Sequence, residues 1–336
     1  MLEDSSLRKA GVGTLTARVS PTAPSAPSRI IVRASTDFVV RGVATSVRCF
    51  GTIRRSTILC AIVAANVQHI TRSAEQTWRY ARRGELIPDH ERRPVNMNSL
   101  AASLALPWET ARRHVHALID EGLCLKVDGG VIVPASALTS DRVVPFAVAL
   151  KDSFWRMVRQ LKAIGFDFAD VACRPEIESQ ILAEPGVSPP GQSPEGLVSR
   201  VVMEFYLRVI VGGARAFDSD WAATVIFGEI MTMNGEALSR DPEAAWLYAY
   251  ADSPPPDKAR RPASIRETAV RLGLPQETTR RQVQALVRQG MVERVDKGYL
   301  ASMDFMQAAI MRECARDVTL AFYRMVHDLE VLGVHF

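Results

Sequence analysis

The sequence predicts a mainly α-helical protein with small β-hairpins, arranged as two tandem copies of one helical unit about a pseudo-two-fold axis. Three observations predict it. Between Arg92 and Gly130, about 18 of 39 positions are identical to their counterparts between Arg260 and Gly298, with no gap. Within each copy, apolar residues recur at helical spacing except in one short stretch that alternates and turns on glycine. Between the copies lies AEPGVSPPGQSPEG, residues 183–196, too rich in Pro and Gly for regular structure.

The bulk properties fit two ordinary domains. A chain of 336 residues is long for one core, and 47% hydrophobic with 23% charged residues is a globular composition that excludes wholesale disorder. The net charge is only +4, yet the cations are nearly all arginine, since the lysines are confined to Lys9, Lys126, Lys151, Lys162, Lys258 and Lys297. Guanidinium groups grip phosphate and carboxylate bidentately, although genomic base composition explains the bias equally well. Cys49, Cys60, Cys124, Cys173 and Cys314 are odd in number and scattered, which argues against disulfides or zinc. The histidines, His69, His90, His114, His116, His327 and His335, show no metal spacing, so no metal is expected. Residues 1–29 lack an apolar segment and read as a flexible tail rather than a secretion signal. The longest apolar run, Ile58 to Val67, is too short for a bilayer, so no membrane partner and a cytoplasmic location are expected. Catalytic fingerprints such as GxSxG, the P-loop, HExxH and the dinucleotide glycines are not found; neither enzyme activity nor a cofactor is expected.

Repeat one is placed at 30–182 and repeat two at 197–336. Each opens with flanking helices, such as Ile53 to Ile70 and Val201 to Phe217, with Ile58, Ile62 and Asn66 matching Ile226, Ile230 and Asn234. Glu75, Trp78 and Tyr80 match Glu243, Trp246 and Tyr248, and aromatics at matched positions are expected to be core anchors. Breaker-rich loops, ELIPDHERRP and SPPPDKARRP, precede the most similar segment.

In that segment, SIRE at Ser264 supplies a capping box with Glu267, and Asn96 caps the first copy. The short helix breaks before Pro107 or Pro275, which suit the first position of the next helix. There Ala111, Val115 and Leu118 form an apolar stripe. Glu109, Arg113, His116 and Asp120 fall on the opposite face, with Arg112 on the flank; the second set is Glu277, Arg281, Gln284 and Arg288, flanked by Arg280. After Gly122, LCLKVDGGVIV alternates and turns at Asp128, a hairpin pattern that MVERVDKGYLA repeats; Cys124 on that strand is expected to be buried. A long helix closes each copy, at 141–166 and 305–333, and Phe154, Met157 and Leu161 match Phe322, Met325 and Leu329.

Helix, turn, helix and hairpin make a winged helix-turn-helix, at about 95–134 and 263–302. The pattern LPxETxRRxVxALxxxG followed by the hairpin resembles the DNA-reading domain of bacterial winged-helix transcription regulators of the MarR and GntR kind. The resemblance implies that the second helix enters the major groove while the hairpin tip touches the adjacent backbone or minor groove. It places Arg113, His116, Arg281 and Gln284 at base edges, and Thr110, Arg112, Thr278, Arg280, Lys126, Arg294 and Lys297 at phosphates. Glu109 and Glu277 could accept from cytosine, but favour the helix N-terminus.

The expected function is a sequence-specific transcriptional regulator of double-stranded DNA, a single chain acting as a pseudo-dimer, or a homodimer of it, on two half-sites. A plasmid-type replication initiator, a nucleoid DNA binder and a winged-helix protein-interaction module are the alternatives. No separate sensor domain is visible, so a small-molecule effector, if any, is expected among the helices between the halves, near Trp78, Trp246, Phe154 and Phe322.

Overall fold

A computed structural model describes residues 26–72, 74–82, 84–172 and 195–336. The first copy runs α1 (Ser28–Phe50), α2 (Ile53–Thr71), α3 (Ala74–Arg79), α4 (Met97–Ser103), α5 (Trp108–Asp120), β1 (Leu125–Val127), β2 (Gly130–Ile132), α6 (Ala135–Leu138), α7 (Val144–Ala163) and α8 (Phe168–Ala172). The second runs α9 (Glu195–Ala214), α10 (Trp221–Asn234), α11 (Pro242–Leu247), α12 (Ile265–Leu272), α13 (Gln276–Arg288), β3 (Val292–Val295), β4 (Gly298–Ala301), α14 (Met303–Gln307) and α15 (Ala309–Val331). The fold is thus mainly helical with two small antiparallel hairpins. Matched residues open α2 and α10, α3 and α11, α4 and α12, and α5 and α13, so shared sequence yields shared element starts.

Caps set several of these starts. Thr52 accepts from the Arg55 amide at α2, and Asp220 accepts from the Ala222 and Ala223 amides at α10. Asn96 and Ser264 cap α4 and α12 as expected. The capping box is only half formed, because the Glu267 carboxylate turns to Arg261 and Arg271, at 2.7 and 2.8 Å, where two cations outcompete one amide. Pro107 and Pro275 precede α5 and α13 in extended conformation, ψ 136° and 134°, one residue outside the helix.

The closing helices start later than expected. Ala308 is extended, φ −60° and ψ 151°, and splits the second into α14 and α15; the first begins at Val144 after the separate short α6. Residues 183–194 of the expected linker lie outside the described residues, but Glu195 and Gly196 already belong to α9, and α1 begins inside the expected tail.

The copies do not have separate cores. One contiguous apolar cluster runs through both, with α1 and α9 at the seam. Helix α1 packs on α7 of its own copy and on α10, α12 and α15 of the other; α9 packs on α15 and, across the seam, on α2 and α7. Phe38 of α1 stacks on Phe205 of α9 at 5.5 Å, and Phe166 meets Phe322 edge-on at 5.8 Å. Burying each such ring contributes about 1.5–3 kcal/mol, which makes the seam a major source of stability.

Candidate nucleic-acid interface

Helices α5 and α13 each bury one stripe and leave the other face open. Ala111, Val115 and Leu118 are buried, as are Thr279, Val283 and Leu286. Opposite them, Glu109, Arg113, His116 and Asp120 are exposed, and so are Glu277, Arg281, Gln284 and Arg288. Of the remaining expected site residues, Lys126, Arg280, Arg294 and Lys297 are exposed, and Thr110, Arg112 and Thr278 half-buried. None of the eleven is buried.

Within this face the paired arginines differ. Arg112 forks onto Glu109 through Nε at 2.9 Å and Nη2 at 2.6 Å, and Arg280 onto Glu277 at 2.8 and 2.6 Å. The hydrogen bonds from these guanidiniums hold both carboxyls below their ordinary range. Glu109 and Glu277 are thus each paired with the next turn of their own helix. Arg113 and Arg281 form no salt bridge with any described residue.

The hairpins are fastened behind the helices by one residue each. Asn66, at the inner face of α2, donates from Nδ2 to the Arg93 carbonyl at 2.8 Å and the Val131 carbonyl at 3.2 Å, while its Oδ1 accepts from the Val133 amide at 2.9 Å. Asn234 repeats the set with the Arg261 and Tyr299 carbonyls and the Ala301 amide, at 2.7, 3.1 and 2.8 Å. Single bridges, Val95 to Val131 and Ala263 to Tyr299, add a third short segment to each hairpin. Arg92 and Arg260, identical in both copies, are buried: Arg92 donates to the Ile87 carbonyl and Arg260 to the Ala301 carbonyl. They belong to the scaffold.

Sequence reasoning missed two features of the first copy. Trp108, the first residue of α5, is largely exposed, and the Arg112 guanidinium lies 5.8 Å from its ring. Arg54 and Arg55 follow the α2 cap and converge with Arg113 around His114, whose imidazole is held below its ordinary value by burial and by these three cations. Arg55 and Arg142 are both met by Glu121, at 2.6 and 2.8 Å. The second copy has Gln276, Ala222 and Ala223 in place of Trp108, Arg54 and Arg55, so a sequence mismatch was the available signal.

The aromatic residues Trp78, Trp246, Phe154 and Phe322 between the halves do not line the cavity described below. Phe154 and Phe322 are fully buried among other rings, and Trp246 donates to the Ile164 carbonyl at 2.6 Å. Of the four expected core anchors, Tyr80 is buried, with its hydroxyl donating to Glu91 at 2.6 Å; Trp78 and Trp246 are half-buried and pack against the core, and Tyr248 is half-buried. A cavity of about 380 Å³ lies instead between α1 and helices α9, α10, α14 and α15.

Cys124 is buried as expected, just before β1, and burial pushes its thiol up to about 12. Among the described residues, no group of three His, Cys, Asp or Glu could hold a metal ion, and no helix is long and apolar enough to cross a membrane. The chain matches no protein-family model, no curated protein and no solved structure.

Proposed function

We propose that this chain is a sequence-specific transcriptional regulator of double-stranded DNA. Its two copies act as winged helix-turn-helix units about a pseudo-two-fold axis and read two half-sites. The observation that carries the reading is the matched pair Arg113 and Arg281: exposed, in no salt bridge with a described residue, and set on helices whose opposite faces are locked in the core. A guanidinium so placed suits bidentate contact with guanine, and Gln284 suits adenine.

Lys126 and Arg294 occupy equivalent strand positions, paired with Val131 and Tyr299, and Lys297 sits at the turn, where cations suit backbone phosphates. Arg112 and Arg280 take part differently from Arg113 and Arg281. Their Nε and Nη2 are held by glutamate, which leaves Nη1 outside the fork to meet a phosphate. His116 against Gln284, and Trp108 against Gln276, make the two half-sites unlike. The reading places the chain in the cytoplasm, beside bacterial DNA.

Selection of bound sequences from random duplexes by the full chain, followed by anisotropy titrations at low and physiological salt, tests this. Arg113→Ala and Arg281→Ala should each lose about 1–3 kcal/mol of discrimination at one half-site only. A double variant that binds selected and random DNA as wild type does would overturn the reading, as would failure to select any sequence at low salt, where backbone attraction is strongest.

A further inference from the structure

We propose that the cavity between α1 and the second copy binds an amphiphilic anion: an apolar body of roughly 10–20 heavy atoms bearing one carboxylate, with Arg29 and Arg33 holding its head. The lining chemistry separates into two zones. Val40, Ile210, Phe227, Met231, Met306 and Val318 give an apolar wall, in which the two methionines can adapt to an irregular body. Arg29, Arg33 and Arg260 crowd the other end.

Arg260 is held by the Ala301 carbonyl and by Asp257, but Arg29 and Arg33 are poorly met. Arg33 donates only to backbone, the Tyr248 carbonyl at 3.2 Å and the Ala245 carbonyl at 3.5 Å, and Arg29 only to the Ala251 carbonyl at 3.3 Å. The Nε atom of each of the three is buried with no hydrogen-bond partner. Two carboxylates stand nearby: Asp252, which draws on Arg29, and Asp257, which pairs with Arg260. Burial, and then Arg29, lower Arg33 to about 10; burial, and then Arg260, lower Arg29. Three cations crowded against two carboxylates leave a partly desolvated positive charge beside an apolar chamber, and a carboxylate with an apolar tail satisfies both zones at once.

The arrangement is particular to one side of the molecule. The counterparts of Arg29 and Arg33 in the other copy are Leu197 and Val201, both buried and apolar. Gly213, Gly228 and Gly235, which line the cavity, correspond to Thr45, Cys60 and Val67. At Gly235 a Cβ would come within 2.9 Å of the Arg33 side chain, so glycine is what lets Arg33 lie along α10. Duplicated positions have thus diverged together toward cations at one end and small residues along the wall.

Calorimetric titration of the full chain, without DNA, tests the site independently of the regulatory reading. The probes are decanoate and 2-naphthoate, with 1-decanol and decylamine as controls. At least one carboxylate should bind at one per chain, 1-decanol at least tenfold more weakly, and decylamine not at all. Arg29→Gln should weaken the carboxylate at least tenfold, and Ala315→Trp, which fills the chamber from half-buried α15, should abolish binding while circular dichroism stays native. No saturable binding of either carboxylate, equal binding of 1-decanol, or undiminished binding by both folded variants would overturn the proposal.

Discussion

At the scale of one residue, Asn66 and Asn234 show how much a single carboxamide can fasten. Each donates twice and accepts once, tying the last turns of a helix to backbone 27 and 65–67 residues away. Replacing Asn234 by Ala would leave the Arg261 carbonyl and the Ala301 amide without their side-chain partner and remove one of two bonds to the Tyr299 carbonyl, and should destabilise the protein by about 2–4 kcal/mol in urea titration. A change below about 0.5 kcal/mol would contradict this account of the clamp. The sequence showed that the asparagines match, but not why, because their partners lie in a distant segment. Arg113 and Arg281 were legible, since helical period alone decides which residues oppose a buried stripe. The Glu109–Arg112 fork was not, because an exposed glutamate in a first turn satisfies the helix dipole equally well on paper.

At the scale of elements, the hairpins depend on close backbone approach. Gly130 has φ 152° and Gly298 φ 144°, and a Cβ there would fall 2.3 Å from the Val95 carbonyl oxygen and 2.4 Å from that of Ala263. Gly129, at φ 82°, has only a Pro94 carbon at 4.0 Å, and Lys297 fills its counterpart position. Gly130→Ala should therefore expose the hairpin amides to hydrogen exchange and cost at least about 2 kcal/mol, against about 1 kcal/mol for Gly129→Ala, where backbone strain acts alone. Equal protection in the two variants would refute the steric argument. Helices α5 and α13 and both turns were legible because their signals are local: an apolar stripe of period 3.6 and an Asp-Gly or Asp-Lys-Gly turn. The short α6 and α14 were not, since four or five residues hold too little periodicity to separate from the helix that follows. The Val95 and Ala263 bridges were equally hidden, being set by the hairpin each strand meets.

Over the whole molecule, the sequence revealed two copies without revealing that they merge. That merging depends on α1 and α9, where the copies have diverged. One result is a charged cluster at the seam: Asp37 and Arg41 of α1 lie beside Glu229 of α10, Glu236 just after that helix, and Arg271 and Glu267 of α12. Glu229 is buried, and desolvation raises its carboxyl to about 7 despite Arg271 at 3.4 Å. The folded protein then holds one more proton than the unfolded chain between pH 4.5 and about 7, so this group's stabilisation is full below that window and fades as pH rises through it. Relative to Glu229→Gln, which stays neutral throughout, wild type should lose about 3 kcal/mol between pH 4.5 and 8 in urea titration. Parallel pH profiles would refute it. The seam also fixes stoichiometry. Two such units on separate chains would come apart on dilution, whereas here one messenger RNA delivers both, always paired one to one, and either face can mutate without altering its mate.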